Sequence, residues 1–94
     1  MSDLSTLGPS SIKGALEALL LVSSDPVSAS ALAASLDVAP GEVASLLAEL
    51  QVEYEEANRG FQLREVAGGW RLFTHPAFHD QVEAFVLSWD TQKL

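Results

Sequence analysis

Ninety-four residues and 10.0 kDa are enough for one small domain, whose folding removes only about 60–65% of the extended chain's surface from water. Apolar residues make up 48% and charged residues 19%, a globular composition, and the lack of cysteine excludes a disulfide scaffold, a zinc finger, an iron–sulfur site and a thiol nucleophile. Thirteen acidic residues against five basic ones give a net charge of -8, so phosphate is repelled over most of the surface and anionic membranes are disfavoured.

The longest purely apolar run is Ala18 to Val22, far below the ~20 residues of a membrane span. No basic region precedes a hydrophobic stretch at the N-terminus, so no signal peptide is read. The expected localisation is cytoplasmic.

Residues 1–9 end in Gly8-Pro9 and read as a flexible lead-in, with Leu4 and Leu7 available to pack onto a partner. Residues 10–94 read as the folded domain. A first helix is predicted from Ser11 to Ser23, capped by Ser10 or Ser11, with Ile12, Ala15, Leu16, Leu19 and Val22 at helical spacing. Leu20 and Leu21 widen its apolar face, which predicts the most buried helix of the fold. Asp25-Pro26 ends it. A short second helix, Ala29 to Leu36, takes Ser28 as its cap and turns Leu32, Ala33 and Leu36 inward.

Asp37-Val38-Ala39 is a tight turn, and Pro40 suits the first position of a third helix. Val43, Leu46, Leu47, Leu50, Tyr54 and Ala57 form that helix's stripe, and Asn58-Arg59-Gly60 stops it. The period then changes to two. Phe61 to Val66 and Trp70 to Thr74 read as strands joined at Ala67-Gly68-Gly69. Phe61, Leu63, Trp70 and Leu72 are expected to pin the hairpin to the helices. A fourth helix is predicted from Ala77 to Trp89, with Phe78, Val82, Phe85, Val86 and Trp89 as its stripe and the first, second and third of these in the core. Helix, short helix, helix, hairpin, helix is a mainly α member of the α+β class: a winged helix-turn-helix with a two-stranded wing and a C-terminal helix.

A groove-reading third helix presents Arg, Lys, Asn or Gln to base edges. Residues 40–57 instead carry Glu42, Glu49, Glu53, Glu55 and Glu56, with no Lys or Arg. Sequence-specific DNA reading by this helix is therefore not expected. Arg59, Arg64 and Arg71 lie in or beside the wing, where they either pair with acids such as Glu65 or touch phosphate weakly.

No catalytic constellation emerges. His75 and His79 have a ligand-like spacing, but Pro76 places the first before the helix and no third ligand is in sight. Neither a metal nor a cofactor is expected. Gly68-Gly69 is a turn rather than a phosphate loop. Trp70, Phe73, Phe78, Phe85 and Trp89 crowd the C-terminal quarter, too many for a small core. Trp70 and Phe73 point to opposite wing faces, so one of them is expected outside. Trp70, Phe73 and Trp89, with Leu4 and Leu7 as an N-terminal arm, are the candidate partner interface.

Two stretches carry a resemblance. Residues 17–28 (Glu-Ala-Leu-Leu-Leu-Val-Ser-Ser-Asp-Pro-Val-Ser) and residues 59–72 (Arg-Gly-Phe-Gln-Leu-Arg-Glu-Val-Ala-Gly-Gly-Trp-Arg-Leu), followed by Thr74 and Pro76, resemble the first helix and the wing of the segregation and condensation protein B family. The resemblance spans residues 12–90 and implies the first of that family's two tandem winged-helix domains. It implies a non-enzymatic, nucleoid-associated adaptor in chromosome condensation and segregation. Such an adaptor forms homodimers and binds the kleisin subunit ScpA and, through it, SMC. The start of the third helix, residues 37–41, departs from the family's more acidic or serine-rich pattern. Two rival readings stand beside it. One is a dimeric winged-helix transcription regulator that contacts phosphate through Arg59, Arg64 and Arg71. The other is a structural tethering domain without a partner.

Overall fold

The structure, a computed structural model, describes residues 8–92, with side chains through residue 89. Helix α1 spans Pro9–Val22. It begins two residues before the expected start, because Pro9 fills the first helical position, where a missing N–H costs nothing. The Gly8 carbonyl accepts from the N–H groups of Ser11 and Ile12, and no serine side chain caps the helix. Ile12, Leu16 and Leu20 are buried. Leu21 and Val22, expected to extend the buried face, are instead 78% and 80% exposed. At about 100° per residue they turn away from the Ile12–Leu16–Leu20 row.

Helix α2 (Ala29–Leu36) matches its expected bounds, and the Ser28 Oγ accepts from the Ala31 N–H at 3.1 Å. It ends on Asp37 at φ 55, with the Val38 N–H bonded to the Ala33 carbonyl at 3.0 Å. This is a Schellman closure, and it folds Val38 into the core. Helix α3 (Pro40–Glu56) buries Val43, Leu46, Leu47, Leu50 and Tyr54. Ala57, expected in that stripe, is the exposed cap residue. Asn58 takes φ 55 there, and the Arg59 N–H closes on the Tyr54 carbonyl at 3.1 Å.

Polar contacts at the rim set how α1 lies on α3. The Tyr54 hydroxyl donates to Glu17 Oε2 at 2.6 Å. The Lys13 ammonium pairs with Glu49 at 2.9 Å and with Glu53. These two carboxylates, Glu53 first, hold its pKa above the ordinary lysine value.

Strands β1 (Phe61–Val66) and β2 (Gly69–Thr74) form the antiparallel wing. The loop is two residues, Ala67 and Gly68, both at positive φ (51 and 75), the signature of the primed turns that match strand twist. Gly69, expected in the loop, belongs to the strand. The wing joins the helices by a backbone seam. The Val27 N–H donates to the Trp70 carbonyl at 3.0 Å, and the Trp70 N–H donates to the Val27 carbonyl at 2.7 Å. Gln51 Nε2 on α3 donates to the Leu63 carbonyl at 2.9 Å on the other strand. Leu63 and Trp70 complete the core, and the Phe61 ring stands edge-on to Tyr54 at 4.9 Å.

A 3-10 turn (Pro76–Phe78) leads into α4 (His79–Gln92). The expected burial of this helix does not occur. Phe78 is 42% exposed, Phe85 67% and Trp89 52%, with Val82 only half-buried. The core is closed by α1, α2, α3 and the hairpin, with Trp70 its last buried member. Helix α4 lies outside this core, and its main contacts are with the 3-10 turn that precedes it.

The seam and the rim are both open to test. A Cβ on Gly69 would lie 2.8 Å from the Pro26 carbonyl carbon and the Val27 nitrogen, so Gly69→Ala destabilises by about 2–3 kcal/mol. Gly68→Ala meets open space and costs only about 1 kcal/mol for its left-handed backbone; urea unfolding of both variants measures the ranking. Burial, and then the bond to Glu17, raise the Tyr54 pKa. Unfolded tyrosine ionises near pH 10, so the fold favours the neutral form. This contribution is complete below about pH 10 and declines as pH rises beyond it. Tyr54 is the chain's sole tyrosine, so absorbance at alkaline pH should show no tyrosinate before the circular dichroism signal of the fold is lost.

Candidate interaction surfaces

Helix α3 turns its five carboxylates outward. Glu42, Glu49, Glu53, Glu55 and Glu56 are all exposed. Three are engaged locally, Glu49 and Glu53 by Lys13 and Glu55 by His75. The helix that would read a DNA groove therefore shows a negative face with a few compensating contacts. His75 accepts the Ala77 N–H at Nδ1 (3.1 Å), which leaves Nε2 as the donor to Glu55 Oε1 at 2.9 Å. His79 lies on α4 against Glu83 at 3.3 Å. The two histidines serve different contacts, and among the described residues no group of three or more His, Asp or Glu is arranged to hold a metal.

The wing carries the domain's concentrated positive charge. The two-residue loop sets the register at Arg64 opposite Arg71 and Glu65 opposite Trp70. The expected pairing of a wing arginine with Glu65 does not form; a loop of three residues would have aligned Glu65 with Arg71. Both guanidiniums instead sit over the Phe73 ring, at 5.4 Å for Arg64 and 5.2 Å for Arg71. Arg59 is not part of this cluster. It lies in the turn after α3 and lines a hollow with Tyr54, Glu55, His75 and Phe78.

The aromatic candidates separate. Trp70 is 8% exposed and belongs to the core, so it is not free to meet a partner as expected; its neighbours are Val27 and the hydrophobic cluster. Phe73 is half-buried under the arginines on the outer wing face. Trp89 is exposed and stacks on Phe85, with ring centroids 6.4 Å apart and planes at 19°. Leu4 and Leu7 lie outside the described residues.

Two apolar surfaces emerge. One is the row Phe78, Val82, Phe85, Val86 and Trp89 along α4, read from the sequence as mostly core. The other is a groove between the end of α1 and β2, lined by Leu20, Leu21, Leu72 and Phe73, with Arg71 on its wall. Sequence reasoning missed the groove because Leu21 and Val22 matched a buried stripe. The one signal pointing to it was an unbroken apolar run wider than a single buried helix face. Among the described residues no single helix is long and apolar enough to cross a membrane.

A family model described as segregation and condensation complex subunit ScpB matches residues 14–94. A relative from Moorella thermoacetica, segregation and condensation protein B, is 48% identical over 75 residues, covering 80% of this chain and 38% of that protein. The namesake from Syntrophotalea carbinolica is 48% identical over 65 residues, 69% of this chain and 33% of that protein. The chain thus spans well under half the length of these curated relatives. Among solved structures, ScpB from Mycobacterium tuberculosis superposes with a TM-score of 0.86 at 37% identity, over 89% of this chain and 52% of that one. A dimer of an ScpB N-terminal domain complexed with ScpA peptide gives 0.77 at 31% identity, over 81% of this chain and 95% of that one.

The wing cluster generates a test. Like charges directly opposite across two strands destabilise, and no ion pair to Arg64 or Arg71 forms among the described residues. Arg64→Glu replaces a like-charged pair by an opposite one, worth up to about 1 kcal/mol, but gives up the contact with Phe73, worth about 0.5–1 kcal/mol, so stability should stay within about 0.5 kcal/mol of the parent in thermal unfolding at low protein concentration.

Proposed function

Because the chain belongs to the segregation and condensation complex subunit ScpB family, we propose that it is a non-enzymatic adaptor domain of a chromosome segregation and condensation complex. It self-associates and docks an ScpA-type kleisin, which links it to SMC. The observation that carries the reading is the correspondence with an N-terminal domain solved as a dimer with ScpA peptide, 95% of which this chain covers.

The physical chemistry supports the same assignment. An adaptor needs apolar surface left over once its own core is closed, and α4 supplies it. It has no need of a reactive centre. His75, His79, Tyr54 and Lys13 are each occupied in a cap, an ion pair or a rim hydrogen bond. The acidic α3 face opposes DNA docking, which argues against the transcription-regulator reading. A cytoplasmic, nucleoid-associated location belongs to this proposal, reached through the protein partners and not through the domain's own DNA contacts.

Sedimentation velocity of the 94-residue chain should show a concentration-dependent dimer. Fluorescence anisotropy should show saturable binding of a labelled peptide from the same organism's ScpA. A labelled DNA duplex at about 50 and 200 mM salt should show none at tens of micromolar. A monomer indifferent to ScpA would leave the tethering reading. Tight, salt-sensitive DNA binding lost on Arg64→Ala or Arg71→Ala would instead establish the regulator.

A further inference from the structure

The outer face of the wing holds charges that the fold itself leaves unanswered. Leu63, Trp70 and Leu72 face the core, so strand alternation gathers Gln62, Arg64, Arg71 and Phe73 on the opposite face. Arg64 and Arg71 are directly opposed across the two strands. Both guanidiniums lie over one ring, Phe73, at 5.4 and 5.2 Å from its centroid. Among the described residues no carboxylate pairs with either. Glu65 alternates onto the inner side of β1, opposite Trp70. Glu55 and Glu56 share a groove with Arg64, and neither forms an ion pair with it.

We propose that this arginine pair is a docking site for an acidic helix of a protein partner, one that carries two carboxylates a single turn apart. Each guanidinium is a planar fork that takes a carboxylate side-on. Opposed residues on neighbouring strands have Cβ atoms about 4.5–5.5 Å apart, and residues i and i+4 of a helix have theirs about 5–6 Å apart. Two acids one turn apart therefore meet two opposed arginines one to one. Phe73 holds both guanidiniums before the partner arrives, so less side-chain freedom is lost on binding. Its half-buried ring then receives an apolar residue from the same helix face.

Charge selects this occupant. The chain has a net charge of -8, so a long polyanion would gain two contacts at the wing and meet repulsion elsewhere. A helix with two carboxylates brings only the charge that the wing can answer. Folding does not account for the arginine pair, because opposed like charges cost about what the Phe73 contact returns. The inference does not depend on the self-association or the ScpA docking proposed above, and its probe is unrelated to either.

The probe is an alanine-rich helical peptide with two glutamates at i and i+4 and a leucine at i+3. It is titrated into the 15N-labelled domain, and the arginine Nε–Hε signals are followed. The Arg64 and Arg71 signals should shift saturably, with a Kd of about 1 mM or tighter, while that of Arg59, outside the cluster, stays in place. Replacing both peptide glutamates by glutamine should weaken binding by about 10-fold or more, as should Arg64→Glu or Arg71→Glu in the domain. Arg64→Lys, which keeps the charge and loses the fork, should weaken it by about 3-fold. Circular dichroism of each variant should remain that of the parent. Equal binding of the glutamine peptide, or equal shifts at Arg59, would overturn the proposal. A peptide with one phosphoserine in place of both glutamates that binds about 10-fold tighter would overturn it in favour of a single-phosphate site. A DNA duplex that moves the same two signals at lower concentration than the peptide would overturn it in favour of a nucleic-acid contact.

Discussion

A two-bond backbone seam, Val27 against Trp70, makes the wing part of this domain. A two-stranded hairpin is marginal in water by itself. Here it gains a single extra bridge from the α1–α2 loop, and that bridge requires the two backbones to approach so closely that residue 69 has no room for a side chain. Trp70 itself is buried and joins the core cluster. The Gly-Gly-Trp sequence thus performs three tasks in a row. Gly68 supplies the left-handed turn, Gly69 allows the close approach, and Trp70 both pairs with Val27 and fills the core.

Closing the core this way has a consequence for α4. Among the described residues, α1, α2, α3 and the hairpin with fourteen buried side chains already form the core. The aromatic residues beyond Trp70 have no inner surface to occupy. A polar helix would be the ordinary result, but Phe78, Phe85, Val86, Leu87 and Trp89 all stay substantially exposed. Apolar area of this extent on a small domain is a liability unless something covers it. The core is thus complete at Trp70, and the apolar row of α4 stands outside it.

The elements were legible from residue patterns because their signals are local. Ser28, Pro40 and the Asp37 and Asn58 turns fix the helix ends through single side chains or single backbone conformations. The stripe from Val43 to Tyr54 was legible because α3 lies at the centre, covered by neighbours along one continuous face. Burial at the periphery was not. Periodicity says that Leu21, Val22 and Phe85 could face a partner, but whether that partner is the same chain depends on where the other elements end. The wing register failed for a related reason. Counting Gly69 as loop shifts every cross-strand pair by one, and only the contact with Pro26 and Val27, far upstream in the chain, places it in the strand. That shift turns an expected arginine–glutamate pair into an arginine–arginine pair, the site's most informative feature.

The distribution of charge then decides between the uses a winged helix can have. Nucleic-acid binding through this fold needs positive potential on α3 with the wing as an auxiliary contact. This domain reverses the arrangement. Its α3 is lined with carboxylates, and its positive charge is confined to two guanidiniums stacked over Phe73. A pair so small neutralises at most two phosphates, too few to overcome the field of the remaining acids. The same pair is well matched to one or two carboxylates carried on an apolar protein surface, where a shared aromatic face and exclusion of water strengthen each contact. The geometry of the wing therefore favours a protein ligand over a nucleic acid on grounds independent of α3, in keeping with the adaptor role proposed above.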